Sequence, residues 1–230
     1  MRVSVARGSF VGRLLMPTLA KQCIGFMIGS FLFALGSAPG FGTWAGATAS
    51  NVSYFIGAWF FTAAGLVQLA LSGAMTTKVS YGSGTMFRAE WLAASTQSVG
   101  TVLFNVSTTA ALYIKSVHGT QQLVWNPDAG GSVFFLVSGW FVLVALKHTD
   151  GRVWAPRSSD WWCGQINMLG CIAFGVSAVG GFVSRTGNTV DAVLANTGTF
   201  IGALCFFSAS FIALVVAKRD ARPVTAPVTA

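Results

Sequence analysis

Charge is what this chain has least of. Asp, Glu, Lys and Arg make up 9% of its 230 residues, where an ordinary soluble domain has about 25%. Hydrophobic residues reach 53% and mean hydropathy is +0.66. A water-soluble fold cannot leave so much apolar surface wet, so lipid must be the main solvent. Acids are the scarcest charged type, with six in all: Glu90, Asp128, Asp150, Asp160, Asp191 and Asp220. Each lies in an expected loop or at the end of an apolar run, and Asp128 and Asp160 sit where helix N-caps are expected. The spans therefore lack the central charge that marks proton and ion pathways. The two histidines, His118 and His148, fall on opposite sides of the expected topology and cannot share a metal. The cysteines (Cys23, Cys163, Cys171, Cys205) form no CxxC pair and are expected as small buried hydrophobes. HExxH, Walker A, CxxCH and GxSxG motifs are all missing. The chain is accordingly expected to be non-enzymatic, with no cofactor, no catalytic residue and no metal site.

Six long apolar segments remain, at about 22–38, 51–73, 91–114, 130–147, 161–184 and 192–217. Most reach the roughly 20 residues that a membrane helix needs. The net charge of +8 is distributed by side, not along a stripe, which argues against nucleic acid as a partner. Twelve basic residues (Arg2, Arg7, Arg13, Lys21, Lys78, Arg88, Lys147, Arg152, Arg157, Lys218, Arg219, Arg222) share the side of the N-terminus, and only Lys115 and Arg185 lie opposite. The positive-inside rule then puts both termini in the cytoplasm, in a plasma or inner membrane. Trp91, Trp161, Trp162 and, on the far side, Trp125 stand at span entrances, where an aromatic belt is expected. Residues 1–38 also resemble a signal peptide, with Gly36-Ser37-Ala38 as a cleavage site, but Pro39 directly after that site argues against cleavage.

One pattern recurs in every segment. Gly29 precedes Phe33, Gly57 precedes Phe61, Gly100 precedes Phe104, Gly131 precedes Phe135, Gly170 precedes Phe174 and Gly202 precedes Phe206. The i, i+4 spacing puts each pair on one helix face. Seven residues after each glycine stands a small residue: Gly36, Ala64, Ser107, Ser138, Ser177 and Ala209. Glycines in odd segments are separated by 71 and 70 residues, and those in even segments by 74 and 71. The unit is a two-helix hairpin present three times, over about 22–73, 91–147 and 161–217. Glu90-Trp91 and Asp160-Trp161 hold matching places in it, as do Gln97 and Asn167, and Asn51 and Asn196. These twelve Gly and Phe residues are expected to pack the helices, because lipid supplies no hydrophobic drive between them and close contact must do so.

Motifs such as IGSFLF (28–33), IGAWFF (56–61) and GGSVFF (130–135) resemble those of the YrhK-like family of small bacterial membrane proteins. The resemblance implies paired membrane helices. It implies no activity and no catalytic residue.

The expected fold is all-α: a basic segment 1–21, a six-helix transmembrane domain 22–217 as three tandem hairpins, and a disordered tail 218–230 rich in Pro, Thr and Ala. Polar residues inside the spans are uncharged. Gln97, Asn105 and Asn167 are the candidates for a polar pathway, with interhelical hydrogen bonding as the structural alternative. The loop 115–129 is expected to be the longest exposed segment opposite the basic side, with a turn at Asn126-Pro127-Asp128. The expected function is a structural or accessory membrane component, beside a membrane-protein partner or a second copy of the chain. The alternative is a channel or carrier for a small uncharged or weakly polar solute.

Overall fold

The computed structural model describes residues 16–79 and 83–221. Arg2, Arg7, Arg13, Arg222 and all but the first few residues of the 218–230 tail lie outside the described residues. The described chain is mostly helical. Its helices are α1 (Leu19–Ser37), the short α2 (Phe41–Ala45), α3 (Ala47–Leu71), α4 (Ala89–Tyr113), α5 (Val117–Gly119), α6 (Asn126–Asp150), α7 (Ser159–Gly180) and α8 (Ala192–Asp220). A π-helical turn, Thr120–Trp125, joins α5 to α6. An antiparallel hairpin of β1 (Thr76–Lys78) and β2 (Thr85–Phe87) lies between α3 and α4, with Thr77 opposite Met86.

Local chemistry sets the helix ends. Thr18, Ser158 and Asp191 cap α1, α7 and α8, with side-chain oxygens accepting from Lys21, Trp161 and Leu194 N–H groups at 3.3, 3.3 and 2.8 Å. The expected cap at Asp160 is thereby corrected: Ser158 does the capping, and Asp160 stands inside the first turn of α7. Gly151, at φ 65, ends α6 in the left-handed conformation that favours glycine.

Five stretches are long and apolar enough to cross a membrane: Leu19–Ser37, Ala47–Leu71, Val117–Thr149, Ser159–Gly180 and Ala192–Asp220. Helix α4 has 25 residues, enough to span, but is less apolar. Two of its polar side chains, Ser98 and Asn105, and two of its backbone carbonyls bond neighbouring helices. Ser98 donates to the Gly65 carbonyl at 3.1 Å, and the Ala111 carbonyl of α4 accepts from Asn51 at 3.3 Å. The Ala93 carbonyl of α4 accepts from Ser138 at 2.8 Å.

The stretch 115–129 is not an exposed loop. It is helical from Val117 onward, and Gln121 and Trp125 donate to the carbonyls of Val183 and Ala178, at 2.9 and 2.8 Å. Pro127 lacks an N–H and would crowd the carbonyl four residues back, and the wider π turn immediately before it absorbs that mismatch. The expected turn and N-cap at Asn126-Pro127-Asp128 are therefore replaced by continuous helix. The half-buried Trp125 ring is held toward α7 by that bond and packs edge-on against Phe182, with centroids 4.8 Å apart.

The long helices pack as a closed ring in the order α1, α3, α4, α6, α7, α8 and back to α1. Paired contacts, Gly25 with Ala64 and Gly36 with Tyr54, and Gly139 with Cys171 and Gly164 with Leu146, run in opposite order along the two chains and show such neighbours to be antiparallel. Large apolar side chains cover the outside of the ring, among them Phe31, Trp59, Trp140 and Phe211. An apolar belt of this extent requires lipid around it.

A candidate solute pathway along the ring axis

All twelve Gly and Phe residues of the recurring pattern are buried. Within each consecutive helix pair the contacts are reciprocal. A Cβ added at Gly29 would lie 2.9 Å from the Gly57 carbonyl oxygen and 2.9 Å from the Phe61 ring, and one at Gly57 would lie 3.0 Å from the Gly29 oxygen and 2.8 Å from Phe33. Gly100 and Gly131 face each other's carbonyl at 3.0 Å, each under the other helix's phenylalanine. Gly170 lies under Phe206 and Gly202 under Phe174. No side chain fits at these points, which is what the helix-interior glycines are for.

The six phenylalanines then meet at the centre of the ring in two layers. Phe33, Phe104 and Phe174 form one triangle, with ring centroids 6.1, 6.0 and 5.8 Å apart. Phe61, Phe135 and Phe206 form the second, at 6.5, 6.1 and 5.7 Å. The layers touch through the hairpin pairs at 5.3, 5.0 and 5.3 Å. Mostly edge-on and tilted rings at such spacings are favoured aromatic contacts. Together they form a plug across the axis.

A cavity lies on each side of this plug. Toward the end carrying most of the basic residues is a small one of about 50 Å³, room for about three waters. Gln97 and Asn167 line it together with Gln68, and Phe206 closes it. Gln97 is buried, and the Gln68 carbonyl oxygen is buried without a hydrogen-bond partner among the described residues. The Asn167 amide donates only to the Cys171 sulfur, at 3.8 Å. Phe26, Gln97 and Asn167 each stand three residues before the glycine of their helix, so this one position supplies a wall residue from three helices.

Toward the far end is a larger cavity of about 210 Å³, floored by Phe33, Phe104 and Phe174. Here the same position, three before the glycine, is supplied by the other three helices: Tyr54, Asp128 and Thr199. The position six before the glycine adds Asn51, Trp125 and Asn196. Sequence reasoning missed this chamber because Asp128 reads as a helix start. The matching offset of Asn51 and Asn196 was the available signal. A carboxylate thus does stand within a membrane-length helix, contrary to the expectation of wholly uncharged spans.

The structure brings Gln97 and Asn167 together but sets Asn105 apart. Asn105 donates to the Thr62 hydroxyl and lines an outer groove with Trp59 and Tyr113, away from the axis. It clasps α3 to α4. Among the described residues no cluster of three or more His, Cys, Asp or Glu could hold a metal ion. No family model, curated protein or solved structure matches the chain, so the resemblance to the YrhK-like family rests on its motifs.

Proposed function

We propose that this protein is a six-span membrane protein that carries or conducts a small polar solute along the axis of its helix ring, without chemical conversion. One observation carries the reading: two chambers, each with polar side chains in its wall, lie on either side of the six-phenylalanine plug. In this reading the three hairpins are tandem repeats, both termini are cytoplasmic, and the membrane is the plasma or inner membrane, as the charge asymmetry favours. A far-end chamber of about 210 Å³ is smaller than the roughly 300–1,000 Å³ of a drug-sized ligand site, which favours a small solute. Carriers often hold solutes near the membrane midplane between repeats, and passage would require the plug to part.

Reconstitution into liposomes tests this directly. The protein should raise the flux of a small polar solute such as glycerol or urea, and Gln97→Leu or Asn167→Leu should lower it. Unchanged flux in both variants would remove the axial pathway. Absence of any flux, together with co-purification of a membrane partner, would favour the accessory-component reading instead, in which a closed plug is simply a packed core. Orientation is tested with a single engineered cysteine at position 120: labelling from the cytoplasmic face would overturn it.

A further inference from the structure

We infer that the far-end chamber is a binding site for a small organic cation, an alkylammonium, with Asp128 as its counter-ion. This deepens the axial-pathway reading and rests on it for transport, though not for binding. Among the described residues Asp128 makes no hydrogen bond and no ion pair, and the recorded ion pair, Arg88 to Glu90 at 3.4 Å, lies at the opposite end of the bundle. Lys115 and Arg185, the basic residues of the far end, are not among the chamber's lining residues. Asp128 is half-buried in the chamber, and a carboxylate partly withdrawn from water without a positive partner carries a desolvation cost. Binding a cation removes that cost, and a charged group inside a membrane helix generally marks a solute or ion path.

The rest of the wall selects the kind of cation. A bare metal ion wants several oxygen ligands close together. Here the wall supplies a single carboxylate, and its other oxygens are neutral; two of the hydroxyls are held by the protein, Ser177 donating to the Ala195 carbonyl at 2.7 Å and Thr108 to the Phe104 carbonyl at 2.8 Å. Aromatic rings also line the chamber. Phe33, Phe104 and Phe174 form its floor, and the Trp125 indole is fixed by its bond to the Ala178 carbonyl at 2.8 Å. One carboxylate with several aromatic rings is the composition that recognises quaternary and alkylated ammonium groups, through ion pairing and cation–π attraction. The Asn196 amide, which makes no hydrogen bond among the described residues, can meet a polar substituent on the solute.

Equilibrium binding of labelled choline to the purified full-length protein in detergent tests the site without requiring transport. Saturable binding is expected. It should be competed by tetramethylammonium but not by 3,3-dimethylbutan-1-ol, the neutral isostere, and not by sodium at equal concentration. Asp128→Asn should abolish binding while eluting as the same monodisperse species, Asp128→Glu should retain it, and Asp160→Asn at the opposite end should leave it unchanged. Trp125→Leu should weaken it about three- to thirtyfold, the cation–π share. Wild-type binding by Asp128→Asn, equal competition by the neutral isostere or by sodium, or no choline binding at all would each overturn the proposal. Choline binding without flux would sink the transport reading alone, and glycerol flux without choline binding would sink the cation site alone.

Discussion

The two chambers are built from one sequence position and differ in chemistry. Three residues before the glycine, α1, α4 and α7 present Phe26, Gln97 and Asn167 to the basic end, and α3, α6 and α8 present Tyr54, Asp128 and Thr199 to the far end. The first set is neutral and encloses about 50 Å³, and the second includes a carboxylate and encloses about 210 Å³. The scaffold between them is nearly the same in each hairpin: a glycine at the crossing and a phenylalanine on the axis. Identical packing thus supports unequal chambers. The packing contacts recur from pair to pair while the chamber linings differ, so asymmetry along the axis resides in the lining side chains and in the π turn that helps wall the far end.

The comparison breaks most severely if its shared scaffold is destroyed. Gly202→Leu would force a side chain against the Phe174 ring, 2.6 Å from the added Cβ, and toward the Gly170 carbonyl at 3.1 Å. Overpacking of this kind costs about 1–3 kcal/mol or more, and both chambers should be lost together. Thermal unfolding in detergent and the elution profile would show it, and a well-folded variant with intact flux would refute the packing role. Next in size is the plug. Phe174→Ala should cost roughly 3 kcal/mol by analogy with buried aromatic truncations. It should also join the two chambers, raising solute leak through liposomes while leaving the basic-end wall unchanged. A destabilised variant with no added leak would mean that the plug is core only.

A smaller effect is expected from Gln97→Leu, which alters one wall of the basic-end chamber. Flux should fall several-fold, while choline binding at the far end stays as it was, because the plug separates the two sites. The smallest is Asn105→Leu, which removes the clasp from Asn105 to Thr62 at the outer groove. Interhelical hydrogen bonds of this type contribute about 0.6–2 kcal/mol, so a modest fall in unfolding temperature with unchanged flux is expected. A clear loss of flux would return Asn105 to the pathway.

How legible the molecule is in its sequence differs by level. The apolar segments and the i, i+4 pairing of glycine with phenylalanine are local periodicities, visible without knowing which helix neighbours which. Their partners are not local. Gly29 and Phe61 are 32 positions apart, and nothing in either helix alone says that the ring of one seats on the glycine of the other. Gln97 and Asn167 could be paired through their equivalent repeat offsets. Asn105 shares their chemistry but not their offset, and the structure turns it to the outer groove. Asp128 is the least legible, since Asn-Pro-Asp before an apolar run has the composition of a helix start, and only a π turn bonded to the Ala178 and Val183 carbonyls carries the helix through it.

The sequence by itself determined the solvent, the helical class and the packing stripe, because each follows from composition and from periodicity within one helix. Tertiary structure alone decided that the six stripes close into a ring, that their phenylalanines stack into a plug, and that Asp128 faces a chamber. Those outcomes depend on which helix faces meet, and that is fixed by steric fit between segments distant in the chain.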